Sequence, residues 1–388
     1  MSGSDVNDTE LVAPPRAEVR VDLGAYRRNI VSLRARLTDG AQLWAVVKAN
    51  AYGHDVDHIA QVAVAAGARR LCVATLSEAR HLRQIGIRVP ILIMGPLDAS
   101  SIGRAIDLDV SFTVLSHAMV DALEHVTRER GARAARRARV HLKVDTGMGR
   151  WGVPMSDAME ALERVRVMPG VELEGVMTHF ATADDEDPAF LNIQLARFRE
   201  FVAAVRIVEH SVVAHAANSA ATLRRPDTHF DAVRCGVATY GMDPMGIGAA
   251  RHDLEPVLEL RSHVADLREL AAGESTGYCR SFVATEPTRI ALIPLGYADG
   301  VRRSVGRGVG SALVRGVARE IIGTVSMDHV SLRVDTGVEL GDVVTILGRD
   351  GASELRAEDH ARWLGTINYE ITCGIAGEPR LVRVHVGS

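Results

Sequence analysis

The 388-residue chain is short of lysine: Lys48 and Lys143 are the only two among 45 basic residues, and the rest are arginine. It is also short of cysteine, aromatics and net charge. The four cysteines (Cys72, Cys235, Cys279, Cys373) stand far apart without a CxxC pair. That spacing excludes a disulfide framework and a clustered zinc site, so we expect free thiols, no metal and a cytoplasmic location. Aromatic residues make up 4% of the chain and the net charge is −4, which argues against a nucleic-acid partner. No apolar run reaches the roughly 18–20 residues of a membrane-spanning helix. The first nineteen residues lack the apolar core of a secretory signal, and residues 1–17 read as a loose tail around Pro14-Pro15. Arginine serves as a surface charge as well as lysine does. An amine with an adjustable pKa has no guanidinium substitute, so the two lysines mark positions to inspect.

What is present is an alternation. Leu23, Tyr26, Ile30, Leu33 and Leu37 recur at helical spacing, and the short apolar run 43–47 follows. Seven more buried-type runs lie at 71–75, 90–94, 110–114, 139–144, 174–177, 211–214 and 231–234, with helix-period segments between them. Eight strands alternating with helices predict an α/β (β/α)8 barrel over 18–253, with an open doubly wound sheet as the alternative. No GxGxxG follows the first strand, so a dinucleotide site has little support. From 254 to 388 the texture is mostly β, interrupted by a helical stretch near 357–367, and predicts a second, β-rich domain.

In a barrel, reactive groups gather at the carboxyl ends of the strands. Lys48 ends the first strand and Lys143 lies near the end of the fifth. Each also admits a plain ion pair with a carboxylate, such as Asp145 for Lys143. After the seventh strand comes His215-Ala216-Ala217-Asn218-Ser219, and after the eighth Arg234-Cys235-Gly236-Val237. Barrels commonly bind a phosphate there. An ordinary helix cap and a tight turn explain the same residues. A lysine with a phosphate cradle suits pyridoxal phosphate, and suits a sugar-phosphate aldolase equally.

Nine stretches in order settle on a resemblance: AVVKANAYGH (45–54), KVDTGMGRWG (143–152), THFATAD (178–184), HAANSAAT (215–222), RCGVATYG (234–241), GYCRSFVA (277–284), GYADG (296–300), MDHV (327–330) and NYE (368–370). From about Glu18 onward the chain resembles the alanine racemases, fold-type III pyridoxal phosphate enzymes. The resemblance implies interconversion of L- and D-alanine, with D-alanine supplied to peptidoglycan, by a homodimer with shared active sites. Lys48 would be the Schiff-base lysine and one catalytic base. Tyr278, reaching in from the partner, would be the other. Tyr52, Ser219, Gly236 and Val237 would hold the cofactor phosphate, with Asn218 and His179 beside the cofactor. Arg234 would face the pyridine nitrogen. A guanidinium cannot accept a proton, so the ring is a weakened electron sink that favours simple reprotonation. Arg150 and the backbone N–H of Met327 would bind the substrate carboxylate. Lys143, often carbamylated in the family, would position Arg150, and Tyr297 and Asp328 would line the entrance.

Three positions depart from the family pattern. Cys279 replaces a glycine after the catalytic tyrosine, Asp55 replaces a glycine after Tyr-Gly-His, and the stretch Cys373 to Arg380 lacks an expected tyrosine. The alternatives are a racemase of serine or a broader set of small amino acids, a fold-type III decarboxylase, and a non-catalytic cofactor-binding protein. Intact Lys48, Tyr278 and Arg150 speak against the last, and an acidic ring partner would be expected for the decarboxylase.

Overall fold

A computed structural model describes residues 15–131, 135–246, 248, 252–377 and 379–387. Most of the expected tail, residues 1–14, lies outside them, as does Glu378. The chain divides into two compact units. One runs from Val21 to Leu258, from Arg356 to Gly374 and again from His385; the other takes the residues up to Arg20, Glu259–Leu355 and Ile375–Val384.

The first unit holds eight parallel strands: Gln42–Val46, Arg70–Val73, Ile91–Ile93, Ser111–Val114, Ala138–Asp145, Val171–Met177, Val213–His215 and Ala232–Cys235. Each pairs with its successor, and the eighth pairs with the first, Arg234 opposite Trp44, which closes the barrel. The shorter strands, such as Ile91–Ile93, read as unbroken apolar runs because helices cover one face and the barrel interior the other. The helices start where the sequence offers caps. Thr75 and Glu78 form a reciprocal capping box on Leu76–Gln84, Asp98 caps Ala99–Asp107, and Ser116 caps His117–Arg130. Tyr26 is fully buried on its helix.

The helical stretch expected within the β-rich domain is two helices, Ala357–Leu364 and Asn368–Cys373, and it groups with the barrel instead. The reason is a buried polar clasp. The Glu358 carboxylate accepts from the Asp243 N–H at 2.8 Å and from the Asn368 amide at 3.0 Å, while that amide also donates to the Asp243 carbonyl at 2.8 Å.

The other unit is built on a mostly antiparallel sheet. Its order is Asp266–Leu270, Thr288–Ile293, Val330–Arg333, Val317–Ile322, Ser311–Val314, Val343–Asp350, Leu258–His263, Ala17–Asp22 and Val382–Val386. The strand Ala17–Asp22, with alternate residues buried, begins inside the span read as tail. Its three small apolar residues after Pro14-Pro15 are too weak a period to read alone. A hairpin, Ser275–Thr276 against Phe282–Val283, carries the next segment of interest.

Candidate active site

The first barrel strand runs into a turn wound the wrong way. After Lys48, residues Ala49, Asn50, Ala51 and Tyr52 all take φ between 52 and 54. Left-handed backbone costs about 1–2 kcal/mol per non-glycine residue, so other groups must hold this turn in place. The Glu78 carboxylate accepts the Ala49 N–H at 2.7 Å while also accepting from Ala74 at 2.8 Å and Thr75 at 3.0 Å. The Asn50 side chain accepts the Val56 N–H at 2.9 Å. Buried His54 packs its Nδ1 between the carbonyls of Ala51 and Tyr52. Strain of this kind gathers at functional sites. Here it fixes Lys48, half-buried, at the barrel mouth. Burial and then the cationic Arg150 pull the Lys48 amine below its ordinary pKa, with Glu78 acting against them.

Four residues on from Lys48, the buried Tyr52 packs on Tyr240 and Tyr369, ring centroids 5.0 and 6.1 Å apart. Its phenol oxygen reaches the loop after the eighth strand: a Cβ added to Gly236 would stand 2.4 Å from it. Only glycine fits there, and the backbone is left open for close approach. Ser219, first residue of the helix Ser219–Arg224, accepts from the N–H groups of Gly236 at 3.0 Å and Ala238 at 3.3 Å. Asn218 caps that helix through Ala221 N–H at 3.0 Å. Val237 begins a short 3-10 turn and is buried. Tyr52, Ser219, Gly236 and Val237 thus come together as a hydroxyl-and-amide cradle of the kind that holds phosphate. Beside it opens a cavity of about 520 Å³ lined by His179, Asn218, Met148, Pro244 and Tyr369.

Arg234 is buried on the eighth strand. Its terminal nitrogens donate to the carbonyls of Thr178 (2.8 Å), His215 (2.9 Å) and Ala216 (3.0 Å). They also reach Nδ1 of His215 at 2.8 Å and Nδ1 of His179 at 3.3 Å. Its Nε–H finds no partner among the described residues. Burial draws its pKa down to about 10, so it stays cationic at neutral pH.

Because arginine can only donate, Nδ1 of His215 must be an acceptor. His215 therefore carries its proton on Nε2 and passes it to Nδ1 of His141 at 2.9 Å. Nε2 of His141 lies between the Glu174 carboxylate at 3.1 Å and the donor-only Arg70 guanidinium at 2.9 Å, two neighbours that ask opposite roles of it. Glu174 also receives Arg70 at 2.9 Å and the Ser111 hydroxyl at 2.5 Å. Arg70 lies over the Trp44 ring at 4.5 Å. One connected polar chain thus runs through the barrel from Arg234 to Glu174.

This chain predicts acid sensitivity. Burial first, then neighbouring arginines, hold His141 down at about 4, with Glu174 opposing, and hold His215 well below its ordinary value. Between the free value near 6.5 and the folded one, the unfolded chain takes up protons that the folded chain refuses. Stability is therefore full above pH 6.5 and falls as the pH drops, by roughly 3 kcal/mol from His141 alone by pH 4. For Glu174, burial opposes ionisation, but hydrogen bonds from His141 and Arg70 win and hold its carboxyl well below the usual range. Its contribution is present above about pH 4.3 and is lost only below that. Urea unfolding across pH 4–8 should show this slope, and a His141→Gln variant should flatten it.

Lys143, on the fifth strand, is buried and has no hydrogen-bond or ion-pair partner among the described residues. The carboxylate of Asp145 is committed elsewhere, accepting from Gly147, Met148 and Gly149 at 2.8–3.2 Å. A Lys143–Asp145 ion pair is therefore not formed. Burial, then Arg234 and Arg150, bring the Lys143 amine down to about 8. Arg150, exposed on the loop that Asp145 shapes, has no partner among the described residues.

The remaining candidates lie in the β-rich unit. Tyr278 opens a 3-10 turn at the tip of the hairpin and is 64% exposed. Cys279 and Arg280 behind it take φ 59 and 51, left-handed backbone that favours glycine. Gly277 (φ +81) has Thr324 N within 2.7 Å of where a Cβ would sit. Exposed Met327 has a backbone N–H without a partner among the described residues. Tyr297 is exposed next to buried Asp299, which anchors Arg16 at 2.6 Å and Arg380 at 2.9 Å. Arg380 also grips Asp328 at 2.6 Å and draws its carboxyl below the usual range.

Comparison with known proteins now decides the family. Residues 21–244 match the family described as "Alanine racemase, N-terminal domain", and 257–385 match "Alanine racemase, C-terminal domain". This chain belongs to the alanine racemase family. An alanine racemase of Geobacter sp. strain M21 is 40% identical over 95% of this chain and 98% of its own. One of Desulforamulus reducens is 38% identical over the same shares. Crystal structures of alanine racemases from E. faecalis and Streptomyces lavendulae superpose with TM-scores of 0.89 and 0.90 at 36% identity, over 96–97% of this chain and 98% of theirs. The likeness spans both domains, so the chain is an isomerase of the alanine racemase type. Among the described residues no helix is long and apolar enough to cross a membrane.

Within this alanine racemase fold the sequence reading missed four participants. Glu78 holds the Lys48 turn, and its capping-box spacing was the available signal. Tyr369 backs Tyr52, signalled by the NYE motif. His141 and Glu174 complete the Arg234 chain, and no local pattern marks them.

Proposed function

We propose that the chain interconverts L- and D-alanine with pyridoxal phosphate by a two-base mechanism. The observation that carries this reading is one convergence: Lys48 on a strained turn, the Tyr52–Ser219–Gly236 cradle, and a buried arginine with one unpartnered N–H. These residues fit the cofactor. Lys48 would hold it covalently, and Tyr52, Ser219 and the backbone at Gly236 and Val237 would hold its phosphate. Asn218 and His179 would flank it, and Arg234 would meet its ring nitrogen. Bound there, pyridoxal phosphate supplies the carbonyl that takes the substrate amine and the conjugated ring that makes the Cα–H acidic.

Arg150 and the Met327 N–H bind the substrate carboxylate, fixing which faces of Cα are presented. Lys48 stands at one face and Tyr278 at the other. One takes the Cα proton while the other returns one. Arg234, still cationic at neutral pH and donor-only by its own chemistry, would offer the ring nitrogen no acidic partner to keep it protonated, and this keeps the reaction to proton exchange. Tyr297 and Asp328 line the entrance. Tyr278, Met327 and Tyr297 lie exposed on one unit at 64%, 51% and 39%, a surface that burial by a second copy would stabilise. The active species is a homodimer in which each copy lends Tyr278 to the other's site. The enzyme works in the cytoplasm, where its free thiols suit the compartment, and supplies D-alanine for peptidoglycan.

The test is borohydride reduction of the pyridoxal-phosphate-loaded protein followed by peptide mapping. Label on Lys48 is expected; label on Lys143 overturns the assignment. Racemisation of alanine in D₂O with deuterium at Cα completes it, and retention of hydrogen in both enantiomers sinks the reading.

Lys143 has a separate prediction. With a pKa near 8, about a tenth of it is neutral amine at pH 7. Flanked by two cations, that amine gains by adding CO₂ and becoming a carbamate anion that holds Arg150. A ¹³C-bicarbonate carbonyl signal should appear in the wild type and vanish in Lys143→Gln. KM for alanine should rise roughly tenfold, the equivalent of about 1.4 kcal/mol.

A further inference from the structure

Just beyond the Lys48–Tyr52 turn stands a cluster that racemisation does not use. Asp55 holds φ 72 and ψ 98, strained backbone for a residue with a side chain. Its carboxylate is divided between two tasks. Oδ1 lies 3.3 Å from the Asp57 N–H at the start of the helix Val56–Ala65. Oδ2 faces two imidazoles, lying 3.1 Å from Nδ1 of His58 and 3.0 Å from Nε2 of His385 near the chain's end. The two rings stack, with centroids 3.7 Å apart and planes 25° from parallel. The three ligand-capable atoms lie within 4.8 Å of one another.

We propose that Asp55, His58 and His385 form a site for a divalent transition metal of the zinc type. A tetrahedral zinc with ligand bonds of about 2.0–2.1 Å keeps its ligand atoms roughly 3.3 Å apart. The two separations to Asp55 are a few tenths of an ångström short of this, and the ion is seated when the half-exposed His58 ring swings out of its stack on His385 so that both lone pairs meet at one centre. Two imidazoles and one carboxylate suit zinc, cobalt or nickel; magnesium and calcium ask for oxygen ligands throughout. His58 is half-exposed and Asp55 and His385 are partly buried, so the ion has a path of entry and a fourth position for water. A metal here ties the helix after the Lys48–Tyr52 turn to the last residues of the chain.

The experiment uses the pyridoxal-phosphate-loaded enzyme stripped with a chelator. It is titrated with Co²⁺, read by visible absorption, and with Zn²⁺ in competition with a chromophoric chelator. One equivalent per chain is expected, with the absorption of a four-coordinate nitrogen and oxygen site. Asp55→Gly, which also relieves the backbone, and the exposed-residue variant His58→Gln should each weaken uptake by at least about 100-fold, beyond the usual cost of losing an outer-shell partner. No uptake by the wild type, or uptake that survives both substitutions, overturns the site.

Discussion

Replacing Tyr278 with phenylalanine is expected to lower racemisation by roughly 10²–10⁴-fold, the usual worth of a positioned acid–base group. The fall must be equal in both directions, because enantiomers have the same free energy and one barrier cannot rise without the other. Exchange should behave differently. Lys48 still stands at one face of Cα, so one enantiomer should continue to trade its Cα hydrogen for solvent deuterium while the other stops. A simple loss of binding or folding would not give that asymmetry. Tyr278 is 64% exposed on its own chain, so loss of its hydroxyl should leave the fold of that chain unchanged, read by circular dichroism. The measurement is Cα–H exchange by NMR in D₂O, for each enantiomer separately. Full racemisation by Tyr278→Phe, or exchange lost in both enantiomers together, removes the two-base reading.

Glu174→Ala should produce the largest change in stability, a loss of about 3–5 kcal/mol. Glu174 takes the Arg70 guanidinium and the Ser111 hydroxyl and stands 3.1 Å from His141 Nε2 in one largely buried place. Removing it strands a cation with a side-chain exposure of 7% in the barrel interior. A single-domain margin is about 5–15 kcal/mol, so urea unfolding will register the loss plainly. Replacing both charged partners, with Arg70→Met and Glu174→Leu together, should regain a good part of it, since apolar groups need no counter-charge. A cost below about 1 kcal/mol for Glu174→Ala would mean that solvent, and not Glu174, satisfies Arg70. The same substitution removes a partner of His141 and, through His215, loosens the seating of Arg234. Activity should therefore fall under conditions where the protein remains folded.

The eight barrel strands were legible because a parallel strand buried on both faces leaves a short unbroken apolar run, as in Leu71–Val73 and Ile91–Ile93. Lys48, Ser219 and Gly236 were legible because they end such runs, at the rim where barrels do chemistry. The small strands Ala17–Asp22 and Ser311–Val314 were not, since three or four modest residues between turns carry little periodicity. The helices at 357–364 and 368–373 were legible as helices. Their attachment to the barrel was not, because it depends on Glu358 and Asn368 meeting Asp243, more than a hundred residues away.

By itself the sequence determined that this is a two-part α/β protein of the alanine racemase family and that its two lysines belong to the barrel mouth. Patterned burial and short motifs are local properties, and a linear reading can hold them. Only the tertiary structure decided the electrical state of the site. Arg70, His141, Glu174, His215 and Arg234 come from five different strands, and they meet as one polar chain only across the barrel. Lys143 lowered to about 8 follows the same logic. Its nearest carboxylate in sequence is spent on a loop, burial in the barrel lowers it most, and Arg234, ninety-one residues away in the chain, adds to Arg150 from the neighbouring loop.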